Sequence, residues 1–549
     1  MRSIIKKAVF AAILLSSIHL QAQVDRSMQE NKNTLFTLAE KGDPGSLAIL
    51  AKAAKEAKYK QDSTDAVASL LLYASVTEDK GNHRIAEKAA DIIIKNCITP
   101  ETNTFRIEAM KIMAKANSDK ALATFLKAVD DKDIRVREAV MKLANFVPGT
   151  EVTNKWIERY AKVSPSAKES ILKILGDRGD NAATPLVKEA MEDKNIDISS
   201  AAVASLAKLI KGDAVDPILS WMLQTDSEAG HIKAADVLVT LLNHDNIRKV
   251  AACLRPSKGH ATATLIYLIS WSGDTSLFDA VFPYTNSGDI PVRAAAFSSL
   301  KNLASVKDID NILKEINRTN ERPEVFSLQD ALAVAAQKSG DTDSCTDRIL
   351  EAMKNGTQPE KLIPVLAHTG GQKALDYVSY QFENGNSDMR ELCFDALQGW
   401  RDWSATSVLY NICVSGNKSY GKPALDAYIR LASDTLLKAD DKLALYEKIA
   451  PFAVYPDSRA EMIVQMGFIK TLPAFRFVSR YLDDQDKTVA FCSALALANI
   501  ALPTDKGYEG LYDQSIRQTL EKVIILLTGD EYTETRDNIR NYIDKKQGR

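Results

Sequence analysis

Six histidines, six cysteines and several acidic pairs are the residues of this chain with the chemistry to ligate a metal or move a proton. His83, His231, His244, His260 and His368 are scattered, and His19 lies in an apolar N-terminal run. No H-E-x-x-H and no Cys/His cluster with zinc spacing occurs, so no metal site is expected. Cys97, Cys253, Cys345, Cys393, Cys413 and Cys492 are dispersed and form no C-x-x-C pair. They read as small buried hydrophobes, with Cys393 and Cys413 the first pair to test for a bridge. Asp130-Asp131, Asp440-Asp441 and Asp483-Asp484 could suggest the paired carboxylates of a glycosidase. They stand beside helix ends, where capping accounts for them. Gly176-x-x-Gly179 has no strand before it, so it is a turn and not a phosphate loop. No nucleophile elbow appears, and no catalytic residue or cofactor is assigned. The histidines are expected at the surface or in turns.

Aromatic residues offer binding chemistry instead. Trp400-Arg401-Asp402-Trp403 brings two tryptophans and an arginine together, with Tyr410 and Tyr420 nearby. Tryptophan and arginine dominate interface hot spots, so Trp400, Arg401 and Trp403 are the candidate partner-binding residues. Trp156, Trp221 and Trp271 lie in apolar helical patterns and are expected in the core. Arg137 and Arg293 recur in register and are expected to pair with acidic residues of their own repeat.

Those residues must be positioned by a periodic chain. Second helices are expected to start near Arg135, Lys168, Ser199, Ile232, Thr262, Arg293, Leu328, Lys361, Arg390, Pro423, Arg459 and Val489, about 29 to 36 residues apart. Asp133-Ile-Arg-Val-Arg-Glu-Ala139 and Asp289-Ile-Pro-Val-Arg-Ala-Ala295 share D-I-x-V-R-x-A, and Asp486 and Val489 keep part of it. The Asp can cap the second helix, the Val faces inward, and the small Ala admits the neighbouring helix. Gly176, Gly212, Gly273 and Gly340, each followed by Asp, read as left-handed helix stops followed by a cap. Pro364 sits in an apolar stretch and reads as a kink or a delayed helix start.

The run Leu175-Gly-Asp-Arg-Gly-Asp180 with Ala183, Pro185 and Leu186, together with D-I-x-V-R-x-A elsewhere, resembles HEAT repeats. It is similar to the short HEAT-like form also seen in phycobilisome lyases. The resemblance covers about Asn82 to Pro503 and weakens at Ser305–Ser339 and Asp434–Ile469. It implies an all-α, armadillo-like α-solenoid of roughly thirteen antiparallel helix pairs, wound as a right-handed superhelix with the second helices on the concave side. It also implies a scaffold or binding role, but no lyase activity, because the matching residues are structural. The expected organisation is a signal peptide over 1–22, an N-terminal helical cap over 23–81, the array over 82–503 and a C-terminal helical cap over 504–549. Terminal units of such arrays need polar outer faces.

Arg2, Lys6 and Lys7, the apolar run Ala8 to Leu20 and the small Ala22 have the form of a secretory signal. The run is shorter than the roughly 20 residues of a membrane-spanning helix, and no later segment is apolar enough, so no transmembrane segment is expected in the mature chain. Export to the periplasm or beyond follows, with cleavage near Ala22. Formal net charge is −2, and loss of the leader leaves 67 basic against 72 acidic residues. That gives no electrostatic footprint for nucleic acid. The reading that results is an exported, non-enzymatic scaffold that binds a protein partner, or a polysaccharide or other extended polymer, on its concave face. The alternative is an enzyme or enzyme accessory acting on envelope polymers, with its site assembled across repeats. DNA binding comes third.

Overall fold

The computed structural model describes residues 31–255, 257–504 and 507–547. The expected signal peptide lies outside them. Every regular element among the described residues is helical. Two compact units divide at Ser272/Gly273.

In the first unit, helical residues 31–41 and the pair Ser46–Glu56/Ala66–Asp79 come first. Gly42, at φ +61, turns the chain between helical residues 31–41 and Ser46–Glu56. Six pairs follow: His83–Asn96/Asn103–Ala116, Ser118–Ala128/Ile134–Leu143, Thr150–Tyr160/Pro165–Arg178, Thr184–Ala190/Ile196–Ile210, Val215–Gln224/Glu228–Leu241 and Ile247–Ala252/Gly259–Ser272. In the second unit, a first helix Phe278–Val281, prolonged by the 3-10 turn Phe282–Asn286, pairs with Ile290–Leu303. Six more pairs follow: Ile309–Arg318/Arg322–Ser339, Thr342–Lys354/Pro359–Thr369, Gln372–Asn384/Ser387–Gln398, Thr406–Val414/Gly421–Ala432, Ala439–Ile449/Pro456–Met466 and Leu472–Val478/Lys487–Ala501. Gln514–Leu526 and Thr533–Gln547 end the described chain.

Within each unit, second helices stack on second helices, so every pair hides its apolar stripe against the next. Val136, Val140, Ile171, Leu172, Val203 and Leu206 form this seam in the first unit, all fully buried. Observed second helices begin one to six residues before the expected starts. The shift arises because the cap lies ahead of the first inward-facing residue. The side chains of Asp133, Asn195, Ser227, Asp289, Asn386 and Asp486 each accept a hydrogen bond from a backbone N–H of the helix they open. The stretches where the repeat pattern fades keep the same pairing, with an 18-residue second helix at Arg322–Ser339. Pro364 lies inside a helix that already starts at Pro359.

The glycine assignments need correction. Gly340 does end a helix with φ +70. Gly176, however, is buried inside Pro165–Arg178, and Gly179 is the left-handed stop, at φ +65. A Cβ on Gly176 would stand 2.8 Å from Ser205 Cα, so glycine here permits close helix approach. Gly212 sits in a 3-10 turn, where Lys211 carries the positive φ.

Candidate binding surface

The recurrent arginine occupies the fourth position of its second helix and reaches back into the turn before it. Arg137 Nη1 donates to the carbonyl of Asp131 at 2.7 Å, Arg293 Nη1 to that of Ser287 at 3.1 Å, and Arg459 Nη1 to that of Ala453 at 3.1 Å. Arg390 Nε donates to the carbonyl of Phe382 at 3.1 Å. These carbonyls end the preceding first helix or its turn, where intrahelical donors are missing. Arg293 also pairs with Glu324 of the next second helix at 2.9 Å. For Arg137, then, the partners are main-chain carbonyls, not the acidic side chain expected of it.

A second set of cations works at the opposite ends of the second helices. Arg178 donates to the carbonyls of Ala144, Val147 and Gly149 and to Thr153 Oγ1. Lys338 donates to the carbonyl of Ala304, Arg430 to that of Gln398, and Lys80 to that of Lys41. Arg178, Lys338 and Arg430 reach from one second helix to the C-terminal end of the one before it, and Lys80, just past Ala66–Asp79, reaches the end of helical residues 31–41. Burial lowers the pKa of Arg178 and of Arg430 from the ordinary guanidinium value, a desolvation cost that these carbonyl acceptors offset.

Members of two of the acidic pairs are held by arginine side chains. Asp131 pairs with Arg106 at 2.6 Å, and Asp484 pairs with Arg459 at 3.1 Å. Asp130 accepts from the Ser164 hydroxyl, and Asp440 and Asp441 lie in the first turn of Ala439–Ile449. Arg135 and Asn103 hold the Asp133 carboxyl well below the usual carboxylate range. No group of three or more His, Cys, Asp or Glu poised to hold a metal occurs among the described residues. All six cysteines are unpaired with one another. Burial pushes the Cys97, Cys393 and Cys413 thiols up to about 11. His231 is buried, contrary to the expected surface placement, with its Nε2 2.8 Å from the carbonyl of Thr225.

The Trp400–Trp403 turn joins the second helix Ser387–Gln398 to the first helix of the next pair. Trp400 is 0% exposed, and its indole N–H donates to Ser404 Oγ at 3.1 Å. It therefore has no surface to offer a partner. The sequence cannot separate it from Trp403, which is 45% exposed three residues later. Arg401 is exposed, and its backbone N–H donates to the carbonyl of Ala367. Asp402 caps the short turn that carries Trp403.

Two surfaces missed by the sequence reading lie on second helices. Tyr267 and Trp271, one turn apart on Gly259–Ser272, are 57% and 52% exposed. Trp271 was expected in the core, but Leu265, Ile266, Leu268 and Ile269 fill the buried sides of that helix. Ile232, on the second helix stacked against it, is exposed as well. The other surface is a groove of about 890 Å³ across Ala66–Asp79, Asn103–Ala116 and Ile134–Leu143. Leu71, Leu72, Ile112 and Phe146 contribute apolar surface, and Lys115 and Lys142 stand at its edge. A pair of adjacent half-buried leucines, Leu71-Leu72, is its one trace in the sequence.

No family model matches the chain, and no curated protein matches it. Solved structures with some similarity to the chain include two transport receptors and an enzyme. Karyopherin Kap121p bound to the SUMO protease Ulp1p superposes over 96% of this chain and 77% of its own, at 11% identity and a TM-score of 0.42. An importin beta structure covers 96% of this chain and 80% of its own, at 10% identity and a TM-score of 0.43. Human deoxyhypusine hydroxylase covers 47% of this chain and 99% of its own, at 13% identity and a TM-score of 0.22. The architecture rests on the chain's own packing: each unit is an α-solenoid of HEAT-like helix pairs, several of them closed by Asp or Asn caps and by arginines that reach back into the preceding turn.

Proposed function

We propose that the chain is an exported, non-enzymatic scaffold that holds a protein partner on the exposed faces of its second helices. The observation that carries this reading is the Tyr267–Trp271 pair, two large aromatics held in the open on a rigid helix, with Ile232 exposed on the second helix stacked against it. Solvent-exposed aromatics on a rigid element are the residues that anchor protein interfaces. Residues shared between repeats are taken up by caps, turns and helix ends, so partner choice rests on residues that differ between repeats. Export is supported by the basic, apolar and small-residue order of the first 22 residues.

The test is affinity capture from periplasmic extract with the mature chain and with a Tyr267→Ala/Trp271→Ala variant. Wild type should recover a defined protein in stoichiometric amount, and the variant should lose most of it while keeping its helical circular dichroism. Equal recovery by both chains would remove the aromatic pair as the anchor. Turnover of an envelope polymer by the purified chain would remove the non-enzymatic reading.

A further inference from the structure

The groove across Ala66–Asp79, Asn103–Ala116 and Ile134–Leu143 has an apolar floor and one cationic edge. Lys115 and Lys142 each lie in the last turn of their helix, with Phe146, 65% exposed, just beyond the second of them. The remaining charges cancel, because Lys111 pairs with the groove's single carboxylate, Glu108, at 2.6 Å. Neither Lys115 nor Lys142 makes an ion pair among the described residues. Two unneutralised ammonium groups beside open leucine, isoleucine and phenylalanine surface match a ligand with an apolar stripe and negative charge along one flank.

We infer that this groove receives an acidic amphipathic helix of a partner protein, apolar face down and carboxylates toward Lys115 and Lys142. The inference rests on the scaffold reading above and names one contact within it. Three stacked helices at about 8–10 Å spacing give a floor of roughly 16–20 Å. A helix rising 1.5 Å per residue crosses that distance in about 11–13 residues, long enough to place anchors at i, i+3 or i+4, and i+7. Carried on to i+11, about 16 Å from the first anchor, this stripe would meet Leu71 and Leu72 at one end, Ile112 midway and Phe146 at the other. The Glu108–Lys111 pair, one to two turns before Lys115 on the same helix, adds no net charge, so the carboxylates fix the direction in which the helix lies.

The test uses the full mature chain and fluorescein-labelled peptides of about 14 residues: a Leu/Ala/Glu amphipathic helix, its Leu/Ala/Lys counterpart, and a scrambled Leu/Ala/Glu sequence. Fluorescence anisotropy should show saturable binding of the acidic helix alone, weakening as salt rises. Lys115→Glu/Lys142→Glu, two exposed changes that leave the core intact, should weaken it by at least about tenfold. Leu72→Ala should weaken it without altering the salt dependence. Equal binding of the acidic and basic helices, or no effect of the double lysine variant, overturns the assignment. So does lysine-dependent binding of dodecanoate with no binding of the acidic helix, which would make the groove a site for fatty acids. A chain that captures its Trp271-dependent partner yet binds no acidic helix refutes the groove assignment and leaves the scaffold reading standing.

Discussion

Replacing Gly176 by Ala sets two opposed effects against each other, and the structure decides between them. In an ordinary helix interior this change stabilises by about 1 kcal/mol, because alanine restricts the unfolded chain and suits the helix. Here the added Cβ would lie 2.8 Å from Ser205 Cα and 2.9 Å from both Ser205 Cβ and Oγ. Ordinary carbon contacts are about 3.5–4.0 Å, so Pro165–Arg178 and Ile196–Ile210 must separate by more than about half an ångström. Backbone stands in the way, so a side-chain rotation cannot absorb the clash. Separation also lengthens the bond from the Ser205 hydroxyl to the carbonyl of Leu172, now 2.8 Å. Overpacking of this kind costs about 1–3 kcal/mol, with part of a buried hydrogen bond worth about 1 kcal/mol in addition. The net expectation is a loss of about 1–3 kcal/mol. Gly467, whose added Cβ would lie 3.1 Å from Ala496 Cα, should respond in the same direction but less. Hydrogen exchange followed by mass spectrometry is the suitable assay, because a repeat array can open locally and a single global transition need not be two-state. Protection should fall in peptides covering 165–210 of Gly176→Ala, and the urea midpoint should drop. Unchanged or increased protection there would show that the two helices do not pack at this distance and would refute the close-approach argument.

Other expectations follow from the same contacts. Arg178→Met keeps most of the aliphatic stem but leaves the carbonyls of Ala144, Val147 and Gly149 without their donor; a loss of about 3 kcal/mol is expected from urea unfolding, with Arg178→Lys recovering part of it. Asp486→Ala removes a side chain that accepts from the backbone N–H of Thr488 and of Val489, and thermal melting should report a cost of about 1 kcal/mol. Trp400→Ala should cost about 3–5 kcal/mol and Trp403→Ala little, and acrylamide should lose quenchable tryptophan signal only in the second variant. Above pH 9 the unfolded chain ionises its thiols while the folded chain keeps Cys97, Cys393 and Cys413 protonated up to about 11. The unfolded state then binds fewer protons, so this contribution is complete below pH 9 and disappears as pH rises through about 11. Urea midpoints measured from pH 8 to 10.5 should fall, and less steeply in a triple Cys→Ala variant.

The array was legible in the sequence because its punctuation is local. An Asp at an N-cap, a Val three residues on and an Arg after it act within one turn of helix, so a single chain displays them. Gly176 was misread because glycine serves equally as a left-handed stop or as a gap for a neighbouring helix; only Ser205, some thirty residues away, separates the two. Trp271 was misplaced because its helix is apolar on nearly every side, so periodicity could not mark an outward face. Trp400 and Trp403 share a turn and a residue type, and the difference between them is made by packing that spacing does not encode. The groove draws on three helices across some eighty residues, and none of the three carries a distinguishing motif.

Lys80, Arg178, Lys338 and Arg430 all point the same way along the chain, each completing a helix end synthesised before its own pair. Cutting the chain is therefore not symmetric. A fragment that stops just after a pair keeps carbonyl ends whose cation has been deleted with the missing segment. A fragment that starts just before a pair keeps only a spare cation, which water solvates at little cost. At these four places the same polarity holds on the ribosome, where the earlier helix end waits for its cation, so its last turn is the part most open to proteases and chaperones; Lys470, which donates forward to the carbonyl of Asn499, runs the other way.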